Sequence, residues 1–317
     1  MTPHDSHWQE RLRSYLQTSA RPLLVVLGPT CSGKTAFSLT VARFLKEGGR
    51  EEGGQVEIVN ADSRQLYRGL DIGTAKIRPE EMEGVPHHLL DVLDPREPVS
   101  IAWYQKEAGA VIDAIRARGN IPMMVGGSML YISSVIDGLK PLPSDPNLRA
   151  ALEREADERG LPSLHEELAG LDPESAAAIP MENRVYILRA LELCRMTGHP
   201  ASSINKRSSS PLDCCMLGLQ RPREELTRAI EQRTRMLLQR GWVEEVQGLI
   251  AQGYTDKDPG MRSHGYREIF ASLAQHHGDV EAVKTDTALI DRIDAVTRQY
   301  AKRQVVWWKR DERVLWV

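Results

Sequence analysis

Eight consecutive residues near the start of the chain have the types and spacing of a phosphate-binding loop, or P-loop. They are Gly28, Pro29, Thr30, Cys31, Ser32, Gly33, Lys34 and Thr35. Their order fits the pattern G-x-x-x-x-G-K-[ST], in which backbone amides and the lysine surround phosphate oxygens at the start of a helix. The hydroxyl of Thr35 is the expected ligand for Mg²⁺, and we interpret Cys31 as a small filler within the loop. The sequence therefore predicts a site for a phosphate chain and Mg²⁺.

A carboxylate, Asp62, follows the short apolar run 56–59. Parallel α/β sheets place their chemistry at the carboxyl ends of strands, so Asp62 is a candidate base or metal ligand. The alternative is that Asp62 only caps a helix that begins at Ser63. The next apolar run, 121–125, ends in glycines and not in the Mg²⁺-binding aspartate that is usual in an ATPase or GTPase.

These residues need a sheet to position them, and the sequence predicts one. The runs 22–27, 56–59 and 121–125 are typical of strands buried on both faces of a parallel sheet. Between them, residues 100–118 have apolar positions at helical spacing, with Ser100 as the N-cap. Alternating strands and helices predict an α/β fold, a P-loop NTPase-like parallel sheet flanked by helices.

An inserted all-helical subdomain is predicted at residues 144–207, where the alternation of strands and helices stops. The core then has two parts, residues 21–143 and a largely helical 211–317. The strongest helix of the insertion covers 182–196, and the serine-rich segment 200–211 is predicted to be a mobile loop. Residues 214–219 resume the strand pattern, and 314–317 are a candidate edge strand.

Composition narrows the class of protein. The chain has 317 residues, 41% of them hydrophobic and 27% charged, with a net charge of −3, which is typical of a soluble globular protein. It lacks both an apolar stretch of about 20 residues, the length of a membrane span, and a secretory signal, so we expect a cytoplasmic protein. Its four cysteines are expected to be reduced thiols. No coiled coil is evident, so we expect a monomer. His87 and His88 have no further Cys or His at the spacing of a metal site.

Six segments together resemble the bacterial tRNA dimethylallyltransferases, also called tRNA isopentenyltransferases. The segments are GPTCSGKT (28–35), ADSRQLYRGLDIGTAK (61–76), VPHHLLDVLDP (85–95), VGGSMLY (125–131), HGYRE (264–268) and AKRQVVWWKR (301–310). The resemblance implies transfer of a dimethylallyl group from dimethylallyl diphosphate to the exocyclic amine of the adenosine immediately 3′ of the anticodon in tRNA. The P-loop would then hold the diphosphate leaving group.

The resemblance also implies catalytic roles for three residues. Asp62 would accept a proton from the attacking amine, which is a poor nucleophile. Ser128 stands where the family has threonine and keeps a hydroxyl able to approach the base or the diphosphate. Arg233, on the helix after the insertion, would bind the diphosphate, and the alternative is a solvated arginine on an amphipathic helix.

Residues for tRNA binding follow from the same resemblance. Asp62, Ser63, Arg64 and Gln65 would meet the extruded adenosine. The insertion would grip the anticodon stem-loop through Asn183, Arg184 and Arg189, although its many acidic residues leave an ordinary solvated bundle as an equal alternative. The basic segment 298–310 contains Trp307 and Trp308, which either stack on bases or complete the core.

Two other functions remain open from the residues alone. A P-loop small-molecule or nucleotide kinase would share the phosphate loop and the sheet. A regulatory nucleotide-binding module would use the insertion to dock a protein. Turnover of ATP to a phosphorylated product would favour the kinase, and nucleotide-dependent partner affinity without turnover would favour the module.

Overall fold

The computed structural model describes residues 3–49, 54–138, 142, 144–204 and 212–317. The chain forms two compact units, one made of residues 1–136 and 212–317 and the other of residues 137–211. The limits proposed from the sequence for the insertion, 144–207, lie inside the second unit.

A parallel sheet forms the centre of the first unit, with six strands in the described residues. The strands are β1 (Leu24–Leu27), β2 (Val56–Asn60), β3 (His87–His88), β4 (Ile121–Gly126), β5 (Cys215–Gly218) and β6 (Val314–Trp316). Their order is β3-β2-β4-β1-β5-β6, and every neighbouring pair is parallel. The predicted parallel sheet is confirmed, with β6 at its edge as expected.

Helices cover both faces of this sheet. In the described ranges the helices are α1 (Pro3–Thr18), α2 (Lys34–Phe44), α3 (Ile101–Ala117), α4 (Met129–Ile136), α5 (Pro146–Arg159), α6 (Leu161–Leu171), α7 (Pro173–Ala178), α8 (Arg184–Thr197), α9 (Ala201–Ile204), α10 (Arg223–Gln239), α11 (Trp242–Ala251), α12 (Tyr266–Gln275), α13 (Val280–Thr285) and α14 (Thr287–Trp308). A π-helical turn, Leu45–Gly49, continues α2, and a 3₁₀ turn occupies Pro79–Glu81.

The strand β1 shows why the apolar runs predicted strands correctly. Val25 and Leu27 belong to the core shared with α3, α4 and α10 to α14, whereas Leu24 and Val26 belong to the core shared with α1 and α2. All four side chains are fully buried. A strand buried on both faces needs apolar residues at every position, so its sequence is a continuous apolar run.

Local capping signals set several helix ends. The Ser100 hydroxyl accepts the Trp103 N–H at 3.1 Å, as predicted for the start of α3. The helix α10 begins at Arg223, with Pro222 as its N-cap. The P-loop helix begins at Lys34, because Gly33, at φ 93°, serves as its N-cap.

The second unit contains α5 to α9 around its own core, which includes Leu152, Leu164 and Leu191, all fully buried. The helix predicted at 182–196 runs from Arg184 to Thr197, because the Asn183 side chain accepts the Tyr186 N–H and caps it. The prediction of a mobile loop over 200–211 is wrong for Ala201–Ile204, which form α9. Its remainder, 205–211, lies outside the described residues.

Three further findings concern membrane-spanning helices, disulfide bonds and metal-binding groups. Within the described residues, no helix is both long and apolar enough to cross a bilayer. Cys31, Cys194, Cys214 and Cys215, all within the described residues, form no disulfide bond. His88 contacts buried Glu57 at 2.6 Å on the neighbouring strand, and no group of three or more metal-binding side chains occurs in the part of the chain that is described.

Candidate active site

The candidate site lies at the carboxyl edge of the sheet, where the loops after β1, β2 and β4 meet. All the strands are parallel, so their carboxyl ends share this edge. The loops after β2 and β4 are joined directly: the Ser128 hydroxyl accepts the Ser63 N–H at 2.9 Å, and the Ser128 N–H donates to the Ala61 carbonyl at 3.1 Å. The sheet therefore brings residues that are distant in sequence to one place.

The P-loop has the geometry of an anion site. Lys34 and Thr35 lie in the first turn of α2, where backbone N–H groups lack helical partners and favour negative charge. The Lys34 ammonium spans the loop, donating to the carbonyls of Gly28 at 3.1 Å and Pro29 at 2.7 Å. The Ser32 hydroxyl is buried and has no hydrogen-bond partner in the described structure. An oxygen-rich ligand would supply that partner.

Arg233 lies against the P-loop. Its guanidinium donates to the Thr30 hydroxyl and to the Thr74 carbonyl, both at 3.2 Å, and it reaches the Cys31 sulfur at 3.8 Å. Desolvation, opposed by the Asp62 charge and aided by the Arg233 charge, lowers the pKa of Lys34 to about 8. Two cationic groups thus converge on one small volume, which is an arrangement suited to a polyanion.

Asp62 is held in a turn beside this volume. Its Oδ1 accepts the Arg64 N–H at 2.9 Å, and the Asn60 side chain binds both the N–H and the carbonyl of Asp62 at 3.0 Å. No helix begins at Ser63, so the predicted alternative of a helix cap is replaced by a turn cap. One carboxylate oxygen of Asp62 stabilises the turn, which leaves the other for a ligand.

A cavity of about 140 Å³ joins these groups. Its polar wall contains Thr30, Asp62, Ser63, Arg64, Arg233 and His264. Its apolar wall contains Ile230, Leu237, Trp242 and Ile293. A positively charged end, a carboxylate and an apolar surface therefore line one space.

Two of the residues expected at the site, Ser128 and Gln65, lie outside the cavity lining and bind the loops that form it. Ser128 is buried, does not line the cavity and accepts the Ser63 N–H. That its hydroxyl approaches a base or the diphosphate stays a prediction. Gln65 also lies outside the cavity lining, and its amide donates to the Thr74 carbonyl at 3.2 Å. Both side chains tie loops together.

Glu245, on α11, is a positioning residue that the sequence analysis missed. Its carboxylate accepts three successive backbone N–H groups, from Asp71 at 2.9 Å, Ile72 at 2.7 Å and Gly73 at 3.2 Å. It also accepts the Tyr266 hydroxyl. These bonds fix the loop that ends in Thr74, whose carbonyl receives Arg233. No sequence pattern indicates a carboxylate that binds backbone about 170 residues away.

Gln304, on α14, was part of a quoted segment but had no predicted role. Its side chain is 1% exposed, its Oε1 accepts the Thr30 N–H at 2.9 Å, and its Nε2 donates to the Gly127 carbonyl at 2.7 Å. A Cβ at position 127 would lie 2.1 Å from that Nε2, so only glycine allows the contact. Gln304 therefore joins the P-loop to the loop after β4.

We expect Gln304→Leu to lower the free energy of unfolding by about 2 kcal/mol, because the half-buried Thr30 N–H loses its partner and the buried Gly127 carbonyl keeps only the longer of its two bonds, from the Tyr300 hydroxyl at 3.4 Å. Urea unfolding measures the change. Gln299→Leu, on the exposed side of the same helix, is the control and should leave stability within about 0.5 kcal/mol of the parent. Equal stability of the two variants would contradict the assigned role.

The three predicted RNA contacts of the insertion belong to the second unit, whereas the cavity is lined by the first. Asn183 caps α8. Arg184 binds Glu153 at 2.9 Å and Asp157 at 2.6 Å, and Arg189 binds Glu192 at 2.8 Å. Both arginines thus have acidic partners within their own unit.

The basic segment of α14 divides its residues between core and surface. Trp308 is 1% exposed and belongs to the core, and Trp307 packs against that core. Lys302, Arg303 and Lys309 are exposed. The tryptophans therefore follow the core alternative, while the cations remain accessible.

Comparison with known proteins adds independent information. Residues 65–311 match the family model described as IPP transferase. The chain is 42% identical over 302 residues to the tRNA dimethylallyltransferase of Corynebacterium jeikeium, covering 95% of this chain and 92% of the relative. It is 42% identical over 303 residues to the enzyme of the same name from Geobacter sulfurreducens, covering 94% and 92%.

Solved structures of transferases that act on tRNA also superpose on this chain. The full-length tRNA isopentenylpyrophosphate transferase of Bacillus halodurans superposes with a TM-score of 0.65 at 35% identity, covering 94% of this chain and 89% of that one. A eukaryotic dimethylallyltransferase acting on tRNA superposes with a TM-score of 0.73 at 25% identity, covering 91% and 70%.

Proposed function

The chain belongs to the IPP transferase family, and on that premise we propose the reaction carried out at its cavity. A dimethylallyl group passes from dimethylallyl diphosphate to the exocyclic amine of the adenosine immediately 3′ of the anticodon in tRNA, and diphosphate leaves. The observation that supports this best is that the P-loop residue Thr30, the cation Arg233 and the carboxylate Asp62 line one cavity with an apolar wall. The kinase alternative is not favoured, because the matching relatives and solved structures are dimethylallyltransferases.

The P-loop and Arg233 bind the diphosphate. The bond between the allylic carbon and oxygen breaks as negative charge grows on the leaving group. The first-turn N–H groups of α2, Lys34 and Arg233 are fixed donors for that charge, and fixed donors stabilise a transition state without reorganising.

A divalent cation fits the same end of the site. Thr35 is exposed in the first turn of α2, and the described residues contain no acidic cluster that would supply a complete ligand set. Mg²⁺ is commonly bound by few protein groups together with substrate phosphates and water. We infer that Thr35 holds Mg²⁺, which neutralises charge on the diphosphate when bound.

Asp62 accepts the proton that the amine loses as the new carbon–nitrogen bond forms. The adenosine enters from the half-exposed side of the cavity, where Arg64, His264 and Tyr300 lie. Desolvation lowers the pKa of His264, which favours the neutral form of a ring that can pack on a base. The His264 and Tyr300 rings are 5.2 Å apart, centroid to centroid.

The second unit grips the anticodon stem-loop in this proposal, through Asn183, Arg184 and Arg189. Val185 and Tyr186, at the start of α8, are more than 60% exposed and offer an apolar surface beside them. Phosphate contacts release counterions, so added salt should weaken tRNA binding. We also infer a monomer acting in the cytoplasm, where cysteines outside disulfide bonds stay reduced.

The function is tested with labelled dimethylallyl diphosphate, unmodified tRNA and Mg²⁺, followed by digestion of the tRNA to nucleosides. We expect label on one adenosine of the anticodon loop. Absence of label, under conditions in which a verified relative is active, would overturn the proposal. Phosphate transfer from ATP would indicate the kinase, and nucleotide binding without turnover would indicate the regulatory module.

The lowered pKa of Lys34 predicts how diphosphate affinity depends on pH. A lysine with a pKa of about 8 in the free enzyme is charged below pH 8 and neutral above it, and only the charged form attracts the anion. We therefore expect the affinity for inorganic diphosphate to fall by up to about tenfold per pH unit above pH 8.

The measurement is titration calorimetry from pH 7 to pH 10. Lys34→Arg is the control, because arginine stays charged throughout this range. Ionisation of the diphosphate changes both affinities equally, so it cancels in the ratio of the parent's affinity to that of Lys34→Arg at each pH. A ratio that does not change with pH would contradict the role of Lys34.

A further inference from the structure

We propose that the indole of Trp242 closes the inner end of the cavity and limits the prenyl donor to five carbons. The inference rests on the proposed function, because it assumes that the prenyl group of the donor occupies this cavity. It assigns Trp242 as the residue that determines donor chain length.

The two ends of the cavity differ in exposure. Ile230, Leu237, Trp242 and Ile293 are each no more than 3% exposed. The polar residues Asp62, Ser63, Arg64 and Arg233 are half-buried, and His264 is exposed. The cavity therefore opens at its polar side and is blind at its apolar side.

The polar groups fix which part of the donor enters first. The diphosphate lies at Thr30 and Arg233, which are 3.2 Å apart, and the reacting carbon must lie between the diphosphate and the amine near Asp62. The remaining four carbons of the dimethylallyl group then have only the apolar wall to occupy. The indole of Trp242 is part of that wall.

Two glycines hold this indole in place. A Cβ at Gly73 would lie 1.9 Å from the Trp242 Nε1, and a Cβ at Gly265 would lie 2.0 Å from its Cη2. The Tyr266 ring packs edge-on at 5.7 Å. The indole N–H has no hydrogen-bond partner in the described structure, so the side chain is held by shape alone. An indole packed this closely cannot swing aside for a longer donor.

The volume agrees with a five-carbon limit. The cavity measures about 140 Å³. A closed apolar cavity of roughly 150 Å³ in another protein accommodates benzene, a ligand of six carbons. Because the 140 Å³ includes the open polar end, it is an upper bound on the space for the tail, which suits five carbons and is exceeded by the ten-carbon tail of geranyl diphosphate. Replacing the indole by a smaller side chain adds space at the blind end.

The test compares dimethylallyl and geranyl diphosphate as donors for tRNA with the full chain and its Trp242→Leu variant. We expect the ratio of kcat/KM for geranyl to that for dimethylallyl diphosphate to rise at least about tenfold in the variant, since one methylene in an apolar pocket already commands discrimination of that size. A variant that merely contained less folded protein would lose transfer from both donors equally and leave the ratio unchanged.

Trp308→Leu is the matched control. Trp308 is 1% exposed, belongs to the same core, has an indole N–H without a partner in the described structure and does not line the cavity. We expect it to lose stability without any change in the donor ratio. Trp242→Phe keeps a ring between the two glycines and should also raise the ratio for geranyl over dimethylallyl diphosphate. It serves as the test if the leucine variant does not fold.

The outcomes separate the two proposals. Failure of the parent enzyme to transfer dimethylallyl to tRNA overturns the proposed function. Transfer by the parent, with an unchanged donor ratio in folded Trp242→Leu or Trp242→Phe, overturns the role of Trp242 and leaves the function standing. A rise of the ratio in Trp308→Leu as well would show that core loosening, and not the indole, sets the limit.

Discussion

Asp62→Asn is expected to lower kcat by about 10³-fold, within the range that a positioned general base contributes. The amide cannot accept the proton that the amine loses, whereas its oxygen can still accept the Arg64 N–H that Asp62 binds at 2.9 Å. The turn, the stability and the affinity for tRNA should therefore stay near those of the parent. Single-turnover kinetics with bound tRNA and a separate binding titration measure the two quantities.

The chain offers a close control for this substitution. Asp94 caps a turn in the same way, its Oδ1 accepting the Arg96 N–H at 2.9 Å, and it does not line the cavity. Asp94→Asn should retain the parental kcat. An Asp62→Asn enzyme that keeps its turnover, or that loses tRNA binding and stability in equal measure, would show that Asp62 serves only as a turn cap.

Arg233→Leu is expected to lower kcat by about 10²- to 10³-fold, which is the cost of removing one preorganised donor from a developing charge. Its guanidinium spans the Thr30 hydroxyl and the Thr74 carbonyl, so it is in place before the diphosphate leaves. Arg233→Lys keeps the charge but cannot make both contacts, and its kcat should be intermediate. Steady-state kinetics with saturating tRNA give the comparison.

Arg235 provides the control on the same helix. It is exposed, and its guanidinium donates to the Glu231 carbonyl one turn earlier. Arg235→Leu should change kcat by less than about twofold, since surface substitutions away from a site have small effects. Similar losses in the two leucine variants would argue that general positive charge, and not the position of Arg233, supports the reaction.

A P-loop that binds a leaving group explains an unusual combination in the sequence. The chain carries the full phosphate-binding motif but has Gly126 and Gly127 at the end of β4, where a nucleotide hydrolase would place a metal-binding aspartate. Here the Gly127 carbonyl receives the Gln304 amide, and Ser128 supports Ser63. The loop after β4 thus holds the P-loop, through Gln304, and the loop after β2, through Ser63, in fixed positions.

The sequence by itself determined the features that depend on neighbouring residues. The apolar run before Gly28 predicted β1 because burial on both faces leaves no polar position, and Ser100 predicted the start of α3 because a cap and its N–H lie three residues apart. The P-loop was evident for the same reason: its glycines and Lys34 act within eight residues of one another. The family resemblance then pointed to Asp62 and Arg233.

Only the tertiary structure decided how these groups are held and what space they enclose. Gln304 reaches Thr30 across 274 residues, and Glu245 reaches Asp71 across 174. These side chains bind backbone groups, which every residue possesses, so no pairing of residue types in the sequence signals the contact. The packing of Trp242 between Gly73 and Gly265 could not be predicted from the sequence either. Close packing depends on where three distant segments meet and not on the order of residues within any one of them.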